Sequence, residues 1–298
     1  MDANLALENY YKMLEQLIEA DSFSKETLRS YKYGIGKFYT HFDPSTLKDI
    51  SNISREDFRN FVFSLDVSND SKNSIVRPIR VYMNYLHDEK LIQDENISDT
   101  KFANKKALKS QRENTPPLTE EEFKKLLSVC KNVKEKFLLE MLRYTGLRES
   151  SISDILMENI DDDGKFWVSA KGDKMVPVQI PSALLPLFEE YKKYRNPNKR
   201  FLFYPTSGKG SKNEKLHPQS IYTIIKALLN RTDIPEERKV QITPHKFRHA
   251  LVTELYITVS PEAAKQAAHH SSANVTKRYN DMPYAAGLDA TKNMKVVL

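Results

Sequence analysis

The sequence predicts a mainly α protein of two domains. The first, over residues 1–100, is a bundle of four to five helices; the second, over 118–298, is a mixed α+β domain with a small antiparallel sheet. Three observations predict this. Apolar residues recur at spacings of three and four through the first hundred residues, the repeat of helices with one buried face. Near residue 165 the pattern changes to short strand-like runs, then returns to helical spacing. A chain of 298 residues is also about twice the ~150 residues of an ordinary domain.

Each element follows from local residues. Leu7, Tyr10, Leu14 and Leu17 mark one amphipathic helix, and Leu28, Tyr31, Ile35 and Phe38 a second. A third starts at Ser54 with Asp57 three residues on, a capping box, and carries Phe58, Phe61, Val62 and Leu65. Ile75, Ile79, Tyr82, Met83 and Leu86 mark a fourth, which Pro78 is expected to kink or to begin. Residues 101–117 read as a basic linker: Lys101, Lys105, Lys106, Lys109 and Arg112 occur without an acid between them, and Pro116 and Pro117 follow. Thr119 and Glu122 form a second capping box ahead of Phe123, Leu126, Leu127 and Cys130. The next helix carries Phe137, Leu138, Met141 and Leu142 and ends at Gly146, where a left-handed C-cap is natural. Asp163-Gly164 signals a hairpin turn, and strands are expected over 166–170 and 175–180 with the turn Lys171-Gly172-Asp173-Lys174 between them. Helical spacing resumes over 221–229, 244–258 and 261–269.

Composition narrows the class. Hydrophobic residues at 40% and charged residues at 29% are ordinary for a globular protein, and no run approaches the ~18 apolar residues of a membrane span. With no signal-peptide pattern at the N-terminus, a cytoplasmic location is expected. Cys130 is the single cysteine, which excludes an internal disulfide and a multi-cysteine zinc site and suggests a core residue. The net charge of +6 is unevenly spread. Residues 1–100 hold 12 basic and 17 acidic side chains, a balance of −5, while the remainder holds 34 and 23, a balance of +11. A basic domain of this kind attracts polyanions, and nucleic acid is the expected partner.

Chemistry enters with TPHKFRH at 243–249. Thr243 as N-cap and Pro244 at the first helical position put His245 and Arg248 three apart on one helical face. An imidazole and a guanidinium near a helix N-terminus favour a phosphate. Around this motif stand YTGLRES at 144–150, SAKGDKMVPV at 169–178 and AHHSSANVTKRYND at 268–281. In this order the segments resemble the tyrosine recombinase (phage integrase) family, especially its small Xer-type members. Those proteins read T-G-L-R, a hairpin with K-G, T-P-H-x-L-R-H, then L-G-H-S-S and a tyrosine nine residues after its histidine, as Tyr279 follows His270 here. By pattern alone, the first domain resembles the family's core-binding (SAM-like) domain.

The resemblance implies a site-specific recombinase that cleaves and rejoins DNA through a 3′-phosphotyrosine and a Holliday junction, with no metal, nucleotide or other cofactor. Tyr279 would be the nucleophile, with Arg148, Arg248 and His270 around the scissile phosphate. Lys171 would be the general acid for the departing 5′ oxygen, with Lys174 as its alternative, and His245 a base or hydrogen-bond partner of the tyrosine. His269 stands where the family has glycine, so His269 competes with His270 for the phosphate. Ser151 occupies the place of the acid that often follows the first arginine by three, and Asp154 is taken as the nearest carboxylate. His249 is expected to pack or hydrogen-bond within the domain, and Asp161, Asp162 and Asp163 to form a solvated turn. Expected partners are duplex DNA carrying a recombination site and, on it, a homo-tetramer of chains that are monomers in solution; the need for an accessory recombinase or activator stays open. The two domains would clamp the duplex, and residues 285–298 would dock on a neighbouring protomer. The expected setting is the nucleoid, in chromosome dimer resolution or mobile-element integration and excision. The alternatives are a type IB topoisomerase-like enzyme and an inactive DNA-binding regulator.

Overall fold

A computed structural model describes residues 2–42, 48–92, 115–169, 175–206 and 214–267. The chain divides into two compact units, 1–114 and 115–298.

Among the described residues, the first unit holds the α-helices α1 (Ala3–Glu19), α2 (Lys25–Tyr39), α3 (Arg55–Ser64) and α4 (Asn69–Asp88). Each starts at a side chain that accepts the free amides of its first turn: Asp2, Ser24, Ser54 and Ser68, with the Ser54–Asp57 capping box formed in both directions. Tyr10, Ile35, Phe38, Phe58, Phe61, Ile79 and Tyr82 fill the core. The Tyr39 hydroxyl donates to the Ala3 carbonyl at 2.8 Å and lies 2.6 Å from the Tyr82 hydroxyl, so three helices meet on one hydrogen-bonded pair. Pro78 does not begin α4. The helix starts at Asn69 on its Ser68 cap and runs through the proline. Tertiary fit explains the tolerance, because a Cβ on Gly34 of α2 would stand 2.7 Å from both the Pro78 Cγ and the Ile75 carbonyl oxygen. The proline ring occupies the notch that Gly34 leaves, and buried contact offsets the lost backbone hydrogen bond.

The second unit opens with α5 (Glu120–Ser128), capped by the Thr119–Glu122 box, and α6 (Val133–Thr145), which ends at Gly146 in the left-handed region (φ +64°). A short α7 (Glu149–Ser153) follows. Strands β1 (Lys165–Ser169) and β2 (Met175–Gln179) pair antiparallel, with Phe166 opposite Val178 and Trp167 opposite Pro177. Asp163-Gly164 does not join two strands. The Gly164 amide (φ +78°) donates to the Asp161 carbonyl at 2.9 Å, and this turn leads into β1. Helices α8 (Leu185–Tyr194), α9 (Pro218–Leu229), α10 (Glu236–Gln241), α11 (Pro244–Thr258) and α12 (Pro261–Ala267) follow among the described residues. The inward face of the hairpin, Phe166, Val168, Val176 and Val178, joins the core built on α5, α6, α8 and α9. Its outer face leaves Trp167 half exposed (51%), with the Lys165 ammonium 5.8 Å from the indole centre. Cys130 is half-buried against the core and its thiol donates to the Leu126 carbonyl.

The beginning of this unit is tied to α10 and α11. Arg238 pairs with Glu122 at 2.6 Å and donates to the Pro117 carbonyl at 2.7 Å, while the buried Lys246 donates to the Thr115 carbonyl at 2.6 Å. Pro116 and Pro117 are therefore held in place by cations of the folded unit.

Every residue of α6 from Phe137 to Thr145 is buried, including two with ionisable side chains. Arg143 pairs with Glu254 of α11. Glu140 is 0% exposed and neither carboxyl oxygen has a hydrogen-bond partner among the described residues. Burial pushes its pKa up to about 8, against the opposing pull of Lys136 and Arg143. The native state therefore holds a proton that the unfolded chain releases near its ordinary carboxylate value. Stability contributed by this group is full below about pH 4.5 and is lost as pH rises towards 8. Glu140→Gln is expected to flatten the fall in stability of this unit between pH 5 and 8. Denaturant titrations of both proteins across that range measure it, and parallel curves would exclude the assignment.

Candidate active site

The sharp chemistry gathers where the end of α6 meets the start of α11. Gly146 must take a positive φ to stop α6, which favours glycine. It also sits in a cleft, since a Cβ there would lie 2.8 Å from both the Ala267 carbonyl oxygen of α12 and the Leu251 Cδ2 of α11. The chain thus leaves α6 pressed against α11 and α12. Arg148 comes two residues later as N-cap of α7, in extended conformation and exposed to solvent.

Arg248 lies on α11, only 2% exposed. Its Nη1 donates to the Gly146 carbonyl at 2.5 Å, so the motif at 144–150 and the motif at 243–249 share a hydrogen bond. The Nη2 is buried and has no partner among the described residues. Burial and then the proximity of Arg148 press the Arg248 pKa down to about 10, with Glu149 opposing. The side chain remains a cation at neutral pH. Two neighbouring guanidiniums, one with a buried donor unpaired among the described residues, form a receptor for an anion, because an orphaned charged donor is costly until a ligand satisfies it.

His245 stands one turn before Arg248 and is exposed, its ring 4.5 Å from that of His249. Partial desolvation, then His249 and Arg248, hold the His245 imidazole below its usual value, and Glu149 alone opposes them appreciably. His249 is likewise depressed, by desolvation, Lys246 and Arg248. Both rings are neutral at neutral pH and able to accept protons.

Of the residues singled out by sequence, the structure brings Arg148, His245 and Arg248 together. Lys171, Lys174, His269, His270, Tyr279 and the tail 285–298 lie outside the described residues, as does linker segment 101–114. Asp154 is not the carboxylate of this cluster, for it binds Lys215 at 2.6 Å. Glu149, which the motif comparison passed over although it adjoins Arg148, is the acid that acts electrostatically on Arg248 and His245. Asp161 accepts from the Lys165 amide at 2.7 Å in a surface turn, and among the described residues no group of His, Cys, Asp or Glu is arranged to hold a metal.

Gly146→Ala provides a test of this junction. The strained φ and the two 2.8 Å approaches should together cost about 2–4 kcal/mol, read as a lower unfolding midpoint. Unchanged stability would contradict the geometry.

Residues 9–98 match the N-terminal SAM-like domain of phage integrases, and residues 116–285 match the phage integrase family. Tyrosine recombinase XerA of Pyrococcus horikoshii is 25% identical over 283 residues, covering 94% of this chain and 91% of the relative. Tyrosine recombinase XerC of Anoxybacillus flavithermus is 24% identical over 257 residues, 81% of this chain and 82% of the relative. Among solved structures, residues 75–356 of lambda integrase, as a dimer bound to a COC′ core site, superpose with a TM-score of 0.71 at 15% identity, covering 91% of this chain and 96% of that one. The Tn1549 transposon integrase in complex with a circular intermediate DNA superposes with a TM-score of 0.68 at 16% identity, over 90% and 93% of the two chains. With the match across 116–285 added to the paired arginines on α7 and α11, this chain belongs to the phage integrase family.

Proposed function

We propose that this protein is a site-specific tyrosine recombinase, which cleaves and rejoins duplex DNA through a 3′-phosphotyrosine intermediate. The observation that carries the reading is Arg248: a buried guanidinium fixed on one side by the Gly146 carbonyl, beside a second guanidinium, with its Nη2 unpaired among the described residues. That is a place for a phosphodiester, whose single negative charge grows as a nucleophile adds to phosphorus. Donors fixed in advance lower the barrier because they need not reorganise when the charge develops.

The remaining roles follow the family order. The Tyr279 oxygen attacks phosphorus, forming the phosphotyrosine bond while the bond to the 5′ oxygen breaks. Lys171 delivers a proton to that oxygen, with Lys174 as the second candidate, and the neutral His245 accepts the tyrosine proton or hydrogen-bonds the phenol. His270 joins Arg148 and Arg248 on the non-bridging oxygens. Bond energy is conserved in the ester, so the released 5′ hydroxyl reverses the step on the same or a partner strand without a nucleotide. Lambda integrase has been solved as a tetramer bound to a Holliday junction; here too, four protomers exchanging strands through a junction suit a reaction that makes one cut per active site. Dimer resolution or mobile-element movement, in the nucleoid of the cytoplasm, is the setting we infer. No helix of the described residues is long and apolar enough to cross a membrane.

The test is covalent capture. The protein is incubated with fragments of genomic DNA, denatured, and the DNA still attached is sequenced, with peptide mapping of the adduct. Attachment through Tyr279 at one recurring sequence is the expected result. Relaxation of plasmids lacking that sequence, or binding with no adduct on a nicked suicide duplex, would overturn it.

A further inference from the structure

Helix α11 carries His245 and Arg248, and its first turn is not fixed by its own cap. Thr243 stands at the N-cap position, yet among the described residues its side chain makes no capping hydrogen bond. Three cations hold the start of the helix instead. Lys226 of α9 donates to the carbonyls of Lys239, Val240 and Ile242, which fixes the end of α10 and the step into α11. Arg238 of α10 donates to the carbonyls of Pro116 and Pro117 and pairs with Glu122. Lys246 of α11, only 9% exposed, donates to the carbonyl of Thr115 at 2.6 Å and also to its hydroxyl.

Position gives the Lys246 contact its meaning. Thr115 is the first residue of the second unit, so the chain arriving from residues 1–114 joins that unit at the residue Lys246 grips. Lys246 lies between His245 and Arg248 in sequence, but at about 100° per residue it stands about 200° around the helix from Arg248. The first turns of α11 are thus pinned from two sides, by Arg248 on the Gly146 carbonyl and by Lys246 on Thr115. An ammonium withdrawn from water and turned to a carbonyl and a hydroxyl is not a DNA contact, although it belongs to the basic domain.

We propose that Lys246 is a positioning residue of the recombination site, tying the entry of the second unit at Thr115 to the part of α11 that presents His245 and Arg248. This rests on the recombinase reading for its consequence in catalysis but not for the tie itself. Reacting groups work only when held close to their productive places, and small displacements cost rate far more than they cost binding. The tie therefore acts on cleavage of DNA already bound and leaves affinity unchanged.

The test uses the full chain with Lys246→Met, which keeps the stem and removes the donors, and with Thr115→Val, which deletes the hydroxyl alone. In the DNA-free protein, hydrogen exchange is followed by mass spectrometry in peptides covering 115–123 and 243–250. Lys246→Met is expected to speed exchange about fivefold to tenfold in both and to leave β1 and β2 unchanged. On a nicked duplex, at a temperature where parent and variant are folded, Lys246→Met should bind with the parent's affinity and salt dependence yet form the covalent adduct about tenfold more slowly once bound. Thr115→Val should move both readouts less, and Thr115→Ser, which keeps a hydroxyl, should recover most of what the valine variant loses; if the methionine variant does not fold, the threonine pair decides alone. A merely structural role would leave the rate per folded, bound molecule at the parent's value, so faster exchange with unchanged cleavage overturns the inference. Unchanged exchange overturns it too, as does a salt slope reduced by about 1, which would make Lys246 a phosphate contact. Faster exchange in a variant whose parent never forms an adduct leaves the Lys246–Thr115 tie in place and removes the recombinase reading.

Discussion

Tyr279→Phe is expected to abolish covalent attachment to DNA while leaving the fold and DNA binding intact. The substitution deletes one oxygen, and nothing else in the proposed mechanism can form the ester. Loss of a covalent nucleophile costs on the order of 10⁴-fold or more in rate, because the other groups have no bond-forming step left to accelerate. Gel shift on a nicked duplex and denaturing electrophoresis of the same samples measure the two halves separately. A persistent adduct would move the nucleophile to another of the 15 tyrosines.

Arg248 is the second place where a large effect is expected. Its guanidinium has two tasks, gripping the Gly146 carbonyl and presenting Nη2. Arg248→Ala should lower the cleavage rate about a hundredfold or more, the ~3–4 kcal/mol of one preorganised donor. It should also cost about 1–3 kcal/mol of stability, since the Gly146 carbonyl loses its partner. Arg248→Lys separates the two tasks. A single ammonium lacks the planar fork, so it cannot hold the carbonyl and meet a phosphate oxygen with the same geometry. The lysine variant should keep most of the stability and still lose most of the rate. Single-turnover cleavage and denaturant unfolding decide this, and equal losses in both variants on both measurements would place Arg248 in the core alone.

Local signals made much of this architecture readable. Ser54 with Asp57 and Thr119 with Glu122 announce helix starts because the capping exchange is completed within four residues. Gly146 announces a helix end for the same local reason. Arg148, His245 and Arg248 were legible as motif residues, but their convergence was not, since it depends on a hydrogen bond between residues 102 positions apart. Glu149 escaped because an acid beside an arginine is unremarkable in one dimension, and its electrostatic effect on Arg248 and His245 appears only in the fold. Pro78 misled through a similar gap. Its effect on α4 depends on Gly34 across the helix pair, which spacing within α4 cannot report. Helix α8 was missed as well, although Pro186 near its start and Leu187, Phe188 and Tyr191 along one side are the marks of a short buried helix.

The hairpin has a practical consequence. Trp167 is the one indole in the chain, half open to water on the outer face of β1, only a few residues from Lys171. Excited at the red edge of the indole band, where the 15 tyrosines absorb little, the native protein therefore emits from a single known address with no label attached. Its colour and quenching follow the surroundings of that strand alone, so the arrival of any partner there can be timed in a stopped-flow instrument with the unmodified enzyme.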